Sequence, residues 1–105
     1  VCAVTRHTIR PTLEAAHIRP VSEGGENAVN NGLLLRSDVH RMFDRGYLSI
    51  DRDYRLLVSP SLRSQFGNGD EFYEREGTVI TVPRDEPFRP AREYLEWHLS
   101  EKFIA

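Results

Sequence analysis

The stretch Leu13-Glu14-Ala15-Ala16-His17-Ile18-Arg19-Pro20 leads through a polar loop, Val21-Ser22-Glu23-Gly24-Gly25-Glu26-Asn27, to Asn30-Asn31-Gly32-Leu33-Leu34-Leu35. It then runs into Ser37 and His40-Arg41-Met42-Phe43-Asp44-Arg45-Gly46. Residues 13–18 read as a short strand that Arg19-Pro20 ends, since proline cannot donate to a ladder. The paired glycines of the loop permit a sharp reversal. Leu33-Leu34-Leu35 is too short for a helix and precedes Ser37, a good N-cap, so it reads as a second strand. From Ser37 a helix is expected. Val39, Met42 and Phe43, at i, i+3 and i+4, give it a buried stripe, and Gly46 stands where a C-terminal glycine stops a helix. His40 and Asp44 share a neighbouring face, close enough at i, i+4 to hold one cation. The unit is strand, loop, strand, helix.

Ala16-His17-Ile18-Arg19-Pro20, Asn31-Gly32-Leu33-Leu34-Leu35 and His40-Arg41-Met42-Phe43-Asp44-Arg45-Gly46 together resemble the HNH nuclease superfamily, in particular its restriction-type branch. Cys2-Ala3-Val4-Thr5 resembles that branch's lead-in. The resemblance implies an α+β fold with a ββα-metal (HNH, or His-Me finger) core over residues 13–46. It further implies a metal-dependent endonuclease acting on DNA phosphodiester bonds, leaving 5′-phosphate and 3′-hydroxyl ends. By the same resemblance the catalytic set is His17, Asn31 and His40. His17 would be the general base, an imidazole that takes a proton from the attacking water once its other nitrogen is fixed by a carbonyl. Asn31 would bond the loop backbone and hold the base-bearing strand against the helix. His40 and Asp44 would bind a divalent ion that offsets charge on the non-bridging and leaving oxygens.

One position departs from the pattern. Many members place Asp or His immediately before the base as a metal ligand, and here that position is Ala16. Glu14, two residues back on the same strand face, is the nearest substitute ligand. With few protein ligands, water and phosphate complete the shell, which favours Mg²⁺ or Mn²⁺ over a closed zinc cage. Mixed N and O ligation leaves Ni²⁺, Co²⁺ and Zn²⁺ open.

The formal net charge of −2 is unevenly spread. Residues 1–65 carry nine Arg against seven acids, and residues 66–105 carry five basic against nine acidic residues. The motif half is the basic half, and Arg19, Arg36, Arg41 and Arg45 flank the motif as candidate phosphate contacts. The solvated-surface alternative for these arginines is the ordinary one, because 13 of the 14 basic residues are Arg. The weak overall charge predicts that another domain supplies most affinity or sequence choice. The expected partners are therefore double-stranded DNA and a recognition domain in the same longer chain, with a homodimer left open and no membrane partner.

At 105 residues and 39% hydrophobic content, the chain suits one small domain over 1–105, with residues 47–105 as an extension of the core. Its single cysteine, Cys2, excludes an internal disulfide, and no CxxC pair exists for a structural zinc, so a reducing cytoplasmic setting is expected. A start at Val1, inside an apolar strand and without Met or a signal-peptide pattern, predicts a domain excised from a longer protein. In the extension, Tyr47–Ile50 and Tyr54–Val58 read as a hairpin, a short helix follows Pro60, and Thr78–Val82 reads as a strand ended by Pro83. From Ala91, the spacing of Tyr94, Leu95, Trp97, His98, Leu99 and Phe103 predicts a C-terminal amphipathic helix. His98 reads as a core-edge residue and Trp97 as packing. Two alternatives stay open: a non-catalytic DNA-binding or assembly module that kept the ββα shell, kept alive by Ala16, and a toxin-like nuclease acting on RNA.

Overall fold

The computed structural model describes all residues, Val1–Ala105. The first strand, β1 (Leu13–His17), pairs antiparallel with β2 (Gly32–Arg36), with Ala16 opposite Leu33 and His17 opposite Gly32. Helix α1 (Ser37–Asp44) follows without a linker. A second antiparallel hairpin joins β3 (Leu48–Ile50) to β4 (Leu56–Val58). Two short helices, α2 (Ser61–Phe66) and α3 (Asp70–Tyr73), lead by a long connection to α4 (Arg92–Glu101). The architecture is the α+β, ββα arrangement with an added hairpin and a C-terminal helix. No helix is long and apolar enough to cross a membrane.

The pleat explains how the motif is presented. Ala16 of the first strand and Ile18 just beyond it are buried while His17 between them is exposed, the alternation of extended backbone on a half-covered sheet. Leu33 and Leu35 face the same interior, and Val39 and Phe43 of α1 close it. The core does not stop at the motif. Leu48, Ile50, Leu56, Val58, Tyr94 and Leu95 join the same buried cluster, so the extension completes the hydrophobic support of α1.

The end of α1 is set by Gly46. Its φ of +83° is the left-handed conformation that glycine adopts without a Cβ penalty. The Tyr47 N–H donates to Met42 O and the Gly46 N–H to Phe43 O, the paired bonds of a Schellman stop. A Cβ at Gly46 would also strike the Lys102 carbonyl, because the C-terminal tail lies directly against this turn.

Three local expectations are corrected. Ser37 is the first helical residue and makes no cap bond; the Val39 N–H is taken instead by the Asp38 carboxylate, which Arg36 holds in place. Thr78–Val82 forms no ladder beyond a bridge of Val79 to Arg55. Ile80 N–H donates to Tyr54 O and Thr81 N–H to Ala3 O, so the segment stitches the hairpin to the N-terminal lead-in. Phe103 lies beyond α4, since the Lys102 and Phe103 N–H groups both turn back to His98 O and Ile104 N–H donates to Gly46 O.

Candidate active site

The end of β1, the turn after it, α1 and the C-terminal tail enclose a cleft of 500 Å³. His17, His40, Asp44, His98 and Lys102 all border it. Residues from both halves of the chain are thus brought to one place.

Asn31 fixes the turn that follows His17. It is fully buried, and its Oδ1 accepts the Arg19 N–H at 2.9 Å while its Nδ2 donates to Arg19 O and Glu26 O, each at 2.8 Å. Every one of these partners is backbone, so Asn31 is a buried clamp that closes both ends of the loop. Gly25 is required at the same spot: a Cβ there would lie 1.9 Å from Arg19 O and 2.7 Å from Asn31 Nδ2.

His17 is exposed, and its Nε2 lies 3.2 Å from Asn27 Oδ1. An amide oxygen only accepts, so Nε2 carries the proton and Nδ1 keeps its lone pair. The tautomer-fixing carbonyl is therefore a side chain of the intervening loop. Sequence reading missed Asn27, because no spacing rule ties a loop amide to a histidine ten residues earlier.

His40 is held between two carboxylates. Its Nδ1 is 2.9 Å from Glu14 Oε1 and its Nε2 is 3.1 Å from Asp44 Oδ2. Glu14 and Asp44 thus address opposite edges of the ring. With Nδ1–H donating to Glu14, Nε2 and the Asp44 carboxylate are two acceptors face to face, an arrangement satisfied by a proton on Nε2 or by a cation that both bind. Two ligands each about 2.1 Å from an octahedral ion and at right angles to each other stand about 3 Å apart, so the His40–Asp44 separation fits a shared divalent ion. No group of three or more His, Cys, Asp or Glu side chains gathers to hold a metal, and His40 and Asp44 stand as a pair. Ala16, buried at 2% exposure, adds only a methyl to the core.

The four candidate arginines are placed differently. Arg36, with 14% of its side chain exposed, is bound by Asp38 and Glu71. Its hydrogen bond to Asp38, reinforced by Glu71, raises its pKa further, and the same contact pulls the Asp38 carboxyl below its usual range. Arg19 donates to Glu23 O and stands 5.2 Å over the half-buried Trp97 ring. Arg41 and Arg45 are exposed on and just after α1, side by side at i, i+4, and neither pairs with a carboxylate.

His98 lies deeper than a core edge. At 2% exposure it stacks on Phe43 at 3.7 Å, donates from Nε2 to Phe43 O and accepts the Ser49 hydroxyl at Nδ1, both at 2.8 Å. Burial pushes its pKa down to about 4, so it is neutral and pins α4 to the last turn of α1.

The profile describing the HNH endonuclease family matches residues 2–51. Residues 2–51 are thus similar to an HNH-type domain. The matched segment of this HNH-type domain holds His17, Asn31, His40 and Asp44, together with the lead-in and β3. Its fold is similar to that of a solved protein titled modification dependent TagI restriction endonuclease, with a TM-score of 0.62 and 23% identity over 85% of the chain. The chain spans 27% of the length of that enzyme. No curated protein matches the chain. The family match supports a nuclease-like role, and the structural likeness supports the fold.

Proposed function

We propose that the HNH-type domain is a metal-dependent DNA endonuclease, the cleavage module of a restriction-type enzyme. The observation that carries this reading is the convergence of His17, with its tautomer fixed, and the open His40–Asp44 pair on one cleft. His40 Nε2 and Asp44 would hold one divalent ion, Mg²⁺ or Mn²⁺ by the oxygen-rich open shell. When bound it would supply charge neutralisation at the non-bridging and leaving oxygens. Glu14, holding Nδ1, is assigned to orienting His40, in the manner of a carboxylate behind a metal-bound histidine, and not to the ion itself.

The chain's own part is proton and position. His17 Nδ1 takes the proton of a water attacking phosphorus, the P–O3′ bond breaks, and the 3′ oxygen is protonated from solvent, leaving 5′-phosphate and 3′-hydroxyl ends. Asn31 and Gly25 hold the loop that carries Asn27, and Asn27 holds the ring. Arg41 and Arg45, adjacent like charges without counter-ions, are relieved by phosphates and set the duplex against α1. Arg36 and Arg19, already engaged, serve as braces. A recognition domain elsewhere in a longer chain would select the target, consistent with the modest charge of this part.

A plasmid-cleavage assay across divalent ions, with His17→Ala and His40→Ala, tests the reading. Cleavage that needs a divalent ion and disappears in both variants is expected; full activity in His17→Ala would sink the mechanism. The open two-donor set and the buried Ala16 methyl favour one second reading, a DNA-binding module without catalysis. DNA binding with no cleavage under any ion would establish it.

A further inference from the structure

Lys102 is the only lysine among the 14 basic residues of the chain, and it lies 62 positions beyond His40, outside the segment matched to the HNH family. Its backbone is locked: the N–H donates to His98 O, and its carbonyl packs against Gly46. Its side chain is not. It is 36% exposed, and its ammonium stands 3.6 Å from Glu23, too long for a good hydrogen bond, and 5.8 Å from the centre of the Trp97 ring.

Of the nine residues that border the cleft, the others that ionise are three histidines and Asp44, so Lys102 is its one permanent cation. A phosphodiester entering this cleft brings negative charge to a place that already holds the Asp44 carboxylate. An ion at His40 and Asp44 offsets part of that charge, and Lys102 is the group positioned to take more. The contact to Glu23 is between two part-exposed side chains and is weak enough to exchange for a phosphate oxygen. A compact ammonium on a flexible stem suits a single oxygen of a bound phosphate better than a bidentate guanidinium does.

We infer that Lys102 binds a phosphate of the nucleic-acid backbone in the active-site cleft, swapping Glu23 for a phosphate oxygen when substrate enters. The assignment rests on the nuclease reading and adds to it a contact from the C-terminal tail.

The test compares the wild type, Lys102→Met and Lys102→Arg, using a short DNA duplex as probe. Binding is first measured with chelator present over a range of salt, so that no cleavage enters the readout. One lost phosphate contact lowers the slope of log affinity against log salt by about 0.9. Lys102→Met is expected to show that drop, with affinity about threefold to tenfold weaker at low salt. Lys102→Arg is expected to restore both. With divalent ion, single-turnover cleavage by Lys102→Met is expected to fall about tenfold while thermal melting stays unchanged, since only the side chain is altered. Wild-type slope and cleavage in Lys102→Met would overturn the assignment and leave the nuclease reading standing. Equal losses in the Met and Arg variants would also overturn it, because charge would not be what matters. A wild type that neither binds nor cleaves DNA would remove the nuclease reading and this contact with it.

Discussion

Glu14 Oε1 meets His40 Nδ1 at 2.9 Å across β1 and α1, and this contact decides which edge of the imidazole is turned to Asp44. A strand residue thereby sets the chemistry of a helix residue. If Glu14 orients the ring, Glu14→Ala lowers divalent-ion affinity about 10–100-fold, and Glu14→Gln, which keeps an acceptor, loses less. Titration of Mn²⁺ followed by electron paramagnetic resonance reads both. Unchanged affinity in Glu14→Ala would remove the orienting role, and a loss as complete as in Asp44→Ala would make Glu14 a direct ligand.

Asn27 meets His17 at Nε2, the ring nitrogen opposite the one assigned to the proposed base. Asn27→Ala leaves Nε2 without its acceptor, so kcat is expected to fall about tenfold with KM little changed, against about 10²–10⁴-fold for His17→Ala. Asn27→Asp keeps the acceptor and is expected to retain more activity than Asn27→Ala. Steady-state kinetics across pH separates a lost base from a misplaced one.

Asn31 is a structural clamp beside the proposed catalytic base. Asn31→Ala removes a fully buried side chain and leaves the part-buried Arg19 N–H and the Arg19 and Glu26 carbonyls without their side-chain partner, and about 3 kcal/mol of unfolding free energy is expected to go. Asn31→Asp is expected to do no better, because an oxygen would replace the NH₂ that faces two carbonyls. Urea denaturation measures each; a loss below about 1 kcal/mol would mean that the loop is held by other contacts.

His98 ties stability to pH. Its folded pKa of about 4 lies below the ordinary value of 6.5 because burial penalises the charged ring. As pH falls, the unfolded chain binds this proton first, so the full contribution is present above about pH 6.5 and is lost progressively down to about pH 4. The total is about 3 kcal/mol. His98→Gln is expected to flatten that part of the stability profile while lowering stability at neutral pH. An equally steep acid loss in His98→Gln would assign the slope to other groups.

Local chemistry made the ββα unit readable in advance. Proline at 20 and Gly46 act through the backbone of near neighbours, while the leucine run at 33–35 and the 3, 4 spacing of Val39, Met42 and Phe43 mark which residues must be buried whatever covers them. The helix start was less legible, since Asp38 caps through a carboxylate that Arg36 must hold, and Arg36 in turn is braced by Glu71 from α3. Thr78–Val82 alternates like a strand, yet alternation does not choose partners, and Ala3 of the N-terminal lead-in and Tyr54 of the second hairpin's turn each claim one of its N–H groups.

The sequence by itself determined the order and type of the site's main residues, because His17, Asn31, His40 and Asp44 sit on elements whose form is set locally. Only the tertiary structure decided how each acts. Which nitrogen of His17 is free depends on Asn27, which edge of His40 is open depends on Glu14, and what lines the cleft depends on a tail that brings Lys102 and His98 to the end of α1. Hydrogen-bond partners and cleft walls come from distant chain segments, and periodicity reports only which face of an element is buried.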